Sequence, residues 1–167
     1  DDDLIKMLTD LRNRHRSCFL TEFEATVERT RAWLVTAVVD HPSRSLFRIE
    51  LPGGRLVGHV GAIHRGEALE YDTYILDDDI GIKGFAVQIA RQFLVWIAKL
   101  SDLNNIFGNV RSSNVHARDF HIRTGFSETE SIPLKRIVLN NGDVAFREIN
   151  IDVDPDLYII RIVATVA

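Results

Sequence analysis

The chain has 167 residues, 46% of them hydrophobic and 26% charged, which is enough to bury one substantial core in an ordinary globular domain. A net charge of −4 and the lack of any Lys/Arg block exclude a clustered basic surface, so nucleic acid is not expected as a partner. The lone Cys18 excludes an internal disulfide and a cysteine-based zinc site, and no run reaches the roughly 18 apolar residues of a membrane span. With no signal peptide at the start, a cytoplasmic protein without a membrane partner is expected. A first residue of Asp1 rather than Met is consistent with trimming from a longer chain.

Residues 3–13 (DLIKMLTDLRN) place apolar side chains at 4, 5, 7, 8 and 11, a helical spacing. Residues 26–39 (TVERTRAWLVTAVV) predict a second helix, with Thr26 as N-cap ahead of Glu28 and His41-Pro42 as its stop. The period then changes to two. SLFRIEL (45–51) and RLVGHVGAI (55–63) flank the turn Pro52-Gly53-Gly54 and read as a hairpin. ALEYDTYIL (68–76) reads as a third strand, with Leu69, Tyr71, Thr73 and Ile75 on one face and Glu70, Asp72, Tyr74 and Leu76 on the other.

Three acids, Asp77-Asp78-Asp79, then lead through Gly81 and Gly84 into a helix running to Leu100. The two glycines admit two readings: a turn that needs positive φ, or a cradle where backbone N–H groups approach an anion at a helix N-terminus. Within that helix only Gln88, Arg91, Gln92 and Lys99 are polar, which predicts a largely buried helix lying on a sheet. NIFGNV (105–110) is a short strand. Asn114 caps another helix that stops at Gly125, just past Arg123. Residues 132–140 and 143–151, joined through Asn140-Asn141-Gly142-Asp143, read as a hairpin. The order predicts an α/β (α+β) sheet with helices on both faces, over a domain of residues 1–152. DLYIIRIVATVA (156–167), in the remaining 153–167 tail, has strand composition but no turn to pair it. A sheet edge or a partner chain is its expected place, and a homodimer through either is the expected assembly.

Taken together, strand 68–76, the glycine turn, the apolar helix, strand 105–110 and NVHARDFHIRTGF resemble the Gcn5-related N-acetyltransferase family. Two segments carry the resemblance. The family's acyl-CoA loop reads Gln/Arg-x-x-Gly-x-Gly/Ala, here Gly81-Ile82-Lys83-Gly84-Phe85-Ala86. Its second segment reads Asn-x-x-Ala, then Tyr four residues on, then Gly-Phe, here Asn114, Ala117, His121 and Gly125-Phe126. LRNRHRSCF and TRAWL also resemble the start of the ribosomal-protein and amino-sugar branches. There are departures: Gly81 replaces Gln/Arg, His121 replaces Tyr, the Asp run precedes the loop, and the family's opening strand is missing before residue 4.

The resemblance implies a mixed, mostly antiparallel sheet in which strand 68–76 splays from strand 105–110. It further implies acetyl-CoA as cosubstrate. Its pyrophosphate would lie on the N–H groups of residues 81–86, with Lys83 either a point charge beside the phosphate or a solvated lysine. The backbone at Leu76 would polarise the thioester, and Asn114 and Phe120 would lie along the cofactor. Glu70 and Asp72 share a strand face and offer a general base, or are simply solvated charges; Tyr74 binds acceptor or packs. His121, at the tyrosine position, would protonate the departing thiolate near neutral pH or merely pack. The implied activity is acetylation of a primary amine, with a small molecule such as an amino sugar favoured as acceptor. Acetylation of protein N-termini and a catalytically silent CoA-binding module are the alternatives. The six histidines form no ligand pattern, so no metal is expected. Gly-x-Ser-x-Gly and P-loop motifs are absent.

Overall fold

The computed structural model of the chain describes residues 2–150 and 152–166. Asp1, Ile151 and Ala167, the last two expected to end strands, lie outside the described residues. The elements are α1 (Asp2–Arg14), β1 (Thr21–Glu22), α2 (Val27–Leu34) with a π-helical turn over Val35–Val39, β2 (Arg44–Glu50), β3 (Leu56–Arg65), β4 (Ala68–Leu76), α3 (Phe85–Ser101), β5 (Asn105–Arg111), α4 (Val115–Thr124), β6 (Ser127–Val138), β7 (Val144–Glu148) and β8 (Leu157–Thr165). The predicted helix starts have the predicted chemistry. Thr26 Oγ1 accepts from the Arg29 N–H at 3.2 Å, and Asn114 Oδ1 accepts from the Ala117 N–H at 3.1 Å. Gly125 closes α4 at φ 109°.

The eight strands form one sheet in the order β1-β7-β6-β8-β5-β4-β3-β2. Its pairings are antiparallel except β4 with β5. The main core lies between this sheet and α3, and includes Val60, Leu69, Tyr71, Phe93, Leu94, Ile97, Ile106, Phe126 and Ile162. On the other side α1 packs on α2 and on β3, and a buried hydrogen bond joins the two helices, Thr9 to Thr30 at 2.8 Å.

Two sequence expectations change. The segment expected at an edge or on a partner chain is β8, which lies inside the sheet between β5 and β6. The division at residue 152 therefore separates no tail from the sheet, and β8 is not free to join another copy. Its near-continuous apolar run is what a strand covered on both faces requires, and its partners are distant in sequence rather than across a turn. The second change concerns α3. Ala90, Phe93, Leu94, Ile97 and Ala98 are buried, but Val95, Trp96 and Leu100 are exposed. The helix is apolar on its outer side as well, rather than buried all round. Trp96 meets Phe47 of the edge strand β2 edge-on at 5.0 Å.

Candidate active site at a strand fork

The parallel ladder between β4 and β5 holds just Leu69 against Ile106 and Glu70 against Phe107. Beyond them β5 continues with β8 to Arg111, while β4 follows β3 to Leu76. The two strands therefore part after Glu70. Past that point no strand among the described residues pairs with this edge of β4, which leaves backbone N–H and C=O groups available in the fork. Leu76, half-buried against the core, ends the open arm.

A bulge sits on β4 at the fork. Gly61 of β3 faces Thr73 and Ala62 faces Tyr71, so Asp72 is the extra residue. An extra residue breaks the strict alternation. Tyr71 and Tyr74, predicted on opposite faces, both lie on the α3/α4 side with ring centroids 6.1 Å apart. Tyr74 therefore does not share a face with Glu70 and Asp72, as alternation had implied. Its ring stacks on Phe120 at 5.1 Å with planes 10° apart, and its hydroxyl donates to the Ala86 carbonyl at 2.7 Å.

The two carboxylates do stay together. Glu70 pairs with Arg65 at 2.8 Å, and Asp72 meets Arg44 with Nε at 3.2 Å and Nη2 at 3.3 Å. Burial raises the Asp72 carboxyl above the usual range; Arg44 opposes that shift and the nearby Glu70 charge reinforces it. Burial thus makes Asp72 more basic than an ordinary aspartate. Arg44 and Arg65, which set the charge balance here, were not singled out in the sequence, where nothing marks a cross-strand arginine.

The glycine loop opens at the far end of β4. Gly81 and Gly84 have φ values of 68° and 77°, the left-handed region, and a Cβ at either would meet nothing within 4 Å. The turn reading thus explains why glycine stands there, and the empty space beside both leaves the cradle reading intact. Gly84 gives α3 no side-chain cap, and the first turn holds no acid. The Phe85 N–H turns back to the Ile82 carbonyl at 3.2 Å, while those of Ala86 and Val87 have no partner one turn back in the helix. Ile82 and Lys83 are exposed beside them. Asp77 pairs with Arg14 at 3.1 Å, and this hydrogen bond holds its carboxyl below the usual range. This helix start therefore presents N–H groups and a partial positive charge to open space.

His121 lies against Tyr71 edge-on at 5.6 Å, Phe120 at 5.1 Å and Phe126 at 5.4 Å. Burial among these rings pushes its imidazole down to about 4, the opposite of what an imidazolium acid requires. The lowered value keeps His121 neutral near pH 7. Its Nδ1 and the Tyr71 hydroxyl are buried without hydrogen-bond partners. Phe120 packs in the stack with Tyr74, and the Asn114 side chain is engaged in its cap. Among the described residues no group of three His, Cys, Asp or Glu side chains converges as a metal site. Nor is any described helix long and apolar enough to cross a membrane.

No protein-family profile and no curated protein matches the sequence. Solved structures do match. Spermidine N-acetyltransferase from Vibrio cholerae, in complex with CoA and spermine, superposes with a TM-score of 0.74 at 16% identity over 99% of this chain and 91% of the other. Ribosomal-protein-alanine N-acetyltransferase from Brucella melitensis gives 0.67 at 14% identity over 99% and 96%. With its eight-stranded, mostly antiparallel sheet flanked by helices, the chain thus has the Gcn5-related N-acetyltransferase fold.

Proposed function

We propose that this protein transfers the acetyl group of acetyl-CoA to a primary amine. The observation that carries the reading is the two-pair ladder between β4 and β5, opening beside the uncapped start of α3. In this reading the N–H groups around residues 84–87 receive the pyrophosphate. The unpaired edge of β4 beyond Glu70 offers N–H groups to the thioester carbonyl, where negative charge grows as the amine attacks. The substrate fits the site on two counts: the loop leaves space beside Gly81 and Gly84, and the fork holds polar atoms that lack partners.

An alkyl amine of pKa ~10 is about one part in a thousand neutral at pH 7, so deprotonation costs roughly 4 kcal/mol. Asp72, raised by burial and placed in the bulge, is the base we assign; Glu70 beside it holds that basicity up. Arg44 and Arg65 balance the two carboxylates, so this face has no surplus negative charge for a polycation. That balance favours an acceptor with a single amine among polar groups, an amino sugar, over a polyamine.

The test is thiol release from acetyl-CoA across amino sugars (free and nucleotide-linked), polyamines and peptides with free N-termini, beside calorimetric binding of acetyl-CoA. Turnover is expected with an amino sugar. Binding without turnover on any amine would make the chain a silent CoA-binding module, and absence of binding would refute the reading.

A further inference from the structure

Arg44 belongs to β2, yet the carboxylate it meets belongs to β4, with β3 between them. Neighbouring strands lie roughly 5 Å apart, so the two side chains together span about 10 Å of sheet. Three irregularities meet along that line. The bulge takes Asp72 out of strict alternation, as the extra residue between Tyr71 and Thr73. Gly61 of β3, paired with Leu46 on one side and Thr73 on the other, adds no side chain there. A Cβ on it would stand 3.0 Å from Thr73 Cγ2, 3.3 Å from Leu46 Cδ1 and 3.4 Å from Asp72 Oδ2. The π-helical turn closes with the Asp40 N–H on the Val35 carbonyl at 2.8 Å, and its Ala37 carbonyl accepts from Arg44 Nη1 at 3.1 Å. With Nη2 and Nε on the two oxygens of Asp72, one guanidinium thus joins the end of α2 to the carboxylate. Both side chains are 18% exposed, a sheltered pair rather than a surface one.

We propose that Arg44 is the positioning residue of the base: it holds the Asp72 carboxylate ionised and in one orientation, braced by the π-helical turn over Val35–Val39. The inference rests on the acetyl-transfer reading, with Asp72 as its base. Burial alone favours the protonated carboxyl, which cannot take a proton from the amine, and the Arg44 charge opposes it. The other charges acting on Asp72 are Glu70 on its own strand, which raises it, and Arg65 of β3, which lowers it. His59 of β3 lies against the adjacent Thr73 at 3.1 Å and, pushed down to about 4 by burial, is uncharged near neutral pH. A planar guanidinium facing both oxygens also fixes the carboxylate plane, which a lysine ammonium does not.

The experiment compares wild type, Arg44→Gln and Arg44→Lys. It follows the Asp72 carboxyl by carbon-13 NMR, assigned by its loss in Asp72→Asn, and kcat/KM against pH with an amine that the panel shows to be acetylated. Arg44→Gln removes the charge, so the carboxyl titration and the acid limb of kcat/KM should both move to higher pH. On that limb kcat/KM should fall by about 10-fold. Arg44→Lys keeps the charge and loses the fork, so titration and limb should stay near wild type while kcat falls by roughly 10-fold. If Arg44→Gln leaves the titration and the rate profile unchanged, the pair is merely structural and the inference fails while acetyl transfer stands. A carboxyl titration that moves without the rate profile sinks the inference together with Asp72 as base. Should Arg44→Gln fail to fold, a wild-type kcat in Arg44→Lys overturns the inference by itself. A wild type that acetylates no amine overturns the underlying reading as well.

Discussion

His59 and His121 make stability sensitive to mild acid. His59 is 5% exposed, its Nε2 lies 3.1 Å from Thr73 Oγ1, and its Nδ1 has no partner. Burial pushes both imidazoles from 6.5 down to about 4. A folded-state value below the unfolded one means that the unfolded chain binds the proton more readily. The stability these neutral rings confer is therefore full above the unfolded value and is lost as pH falls from there toward 4. For one such histidine the loss between about pH 7 and about pH 5 is roughly 2 kcal/mol, and for two roughly 4 kcal/mol, a large part of the ~5–15 kcal/mol of a typical domain. Urea unfolding at the two pH values measures it. His121→Phe, which keeps an aromatic ring in the cage, should lose only about half as much stability over that interval as wild type does. Equal losses in wild type and His121→Phe would refute the reasoning, as would an NMR titration placing the His121 transition near its ordinary value.

Two further outcomes follow from the site. Gly84→Ala puts a Cβ into the space beside the α3 start and forces alanine to φ 77°, so stability should fall by about 1–2 kcal/mol and acetyl-CoA affinity should drop by calorimetry; unchanged affinity in the folded variant would put the anion elsewhere. Asp72→Asn should lower kcat/KM by about 10²- to 10⁴-fold, most at low pH where the amine is protonated, and Glu70→Gln should cost less. A wild-type pH–rate profile in Asp72→Asn would reject the base assignment.

What the sequence made legible was local. Thr26, Asn114 and Gly125 mark helix ends by short-range hydrogen bonds and backbone conformation, so their roles could be read directly. The positive φ of Gly81 and Gly84 belongs to the same class. The bulge at Asp72 was not legible, because one extra residue is defined only by the partner strand; with it went the face of Tyr74. The interior place of β8 depends on β5 and β6, both remote in sequence. The surroundings of His121 were not legible for the same reason: its wall includes Tyr71, about fifty residues earlier in the chain, and burial lowers the basicity of the ring.

The interior position of β8 also governs how the chain is made. On one side of β8 stand β5, β4, β3 and β2, and on the other β6, β7 and β1, with no other pairing joining the two groups. A ribosome releases both groups before it releases Leu157–Thr165. Until then β5 and β6 each present a bare edge of backbone donors and acceptors, the kind that recruits other chains. Until Leu157–Thr165 emerges the two half-sheets stay unjoined, and a product cut short before residue 157 would keep both bare edges and be prone to aggregation or degradation.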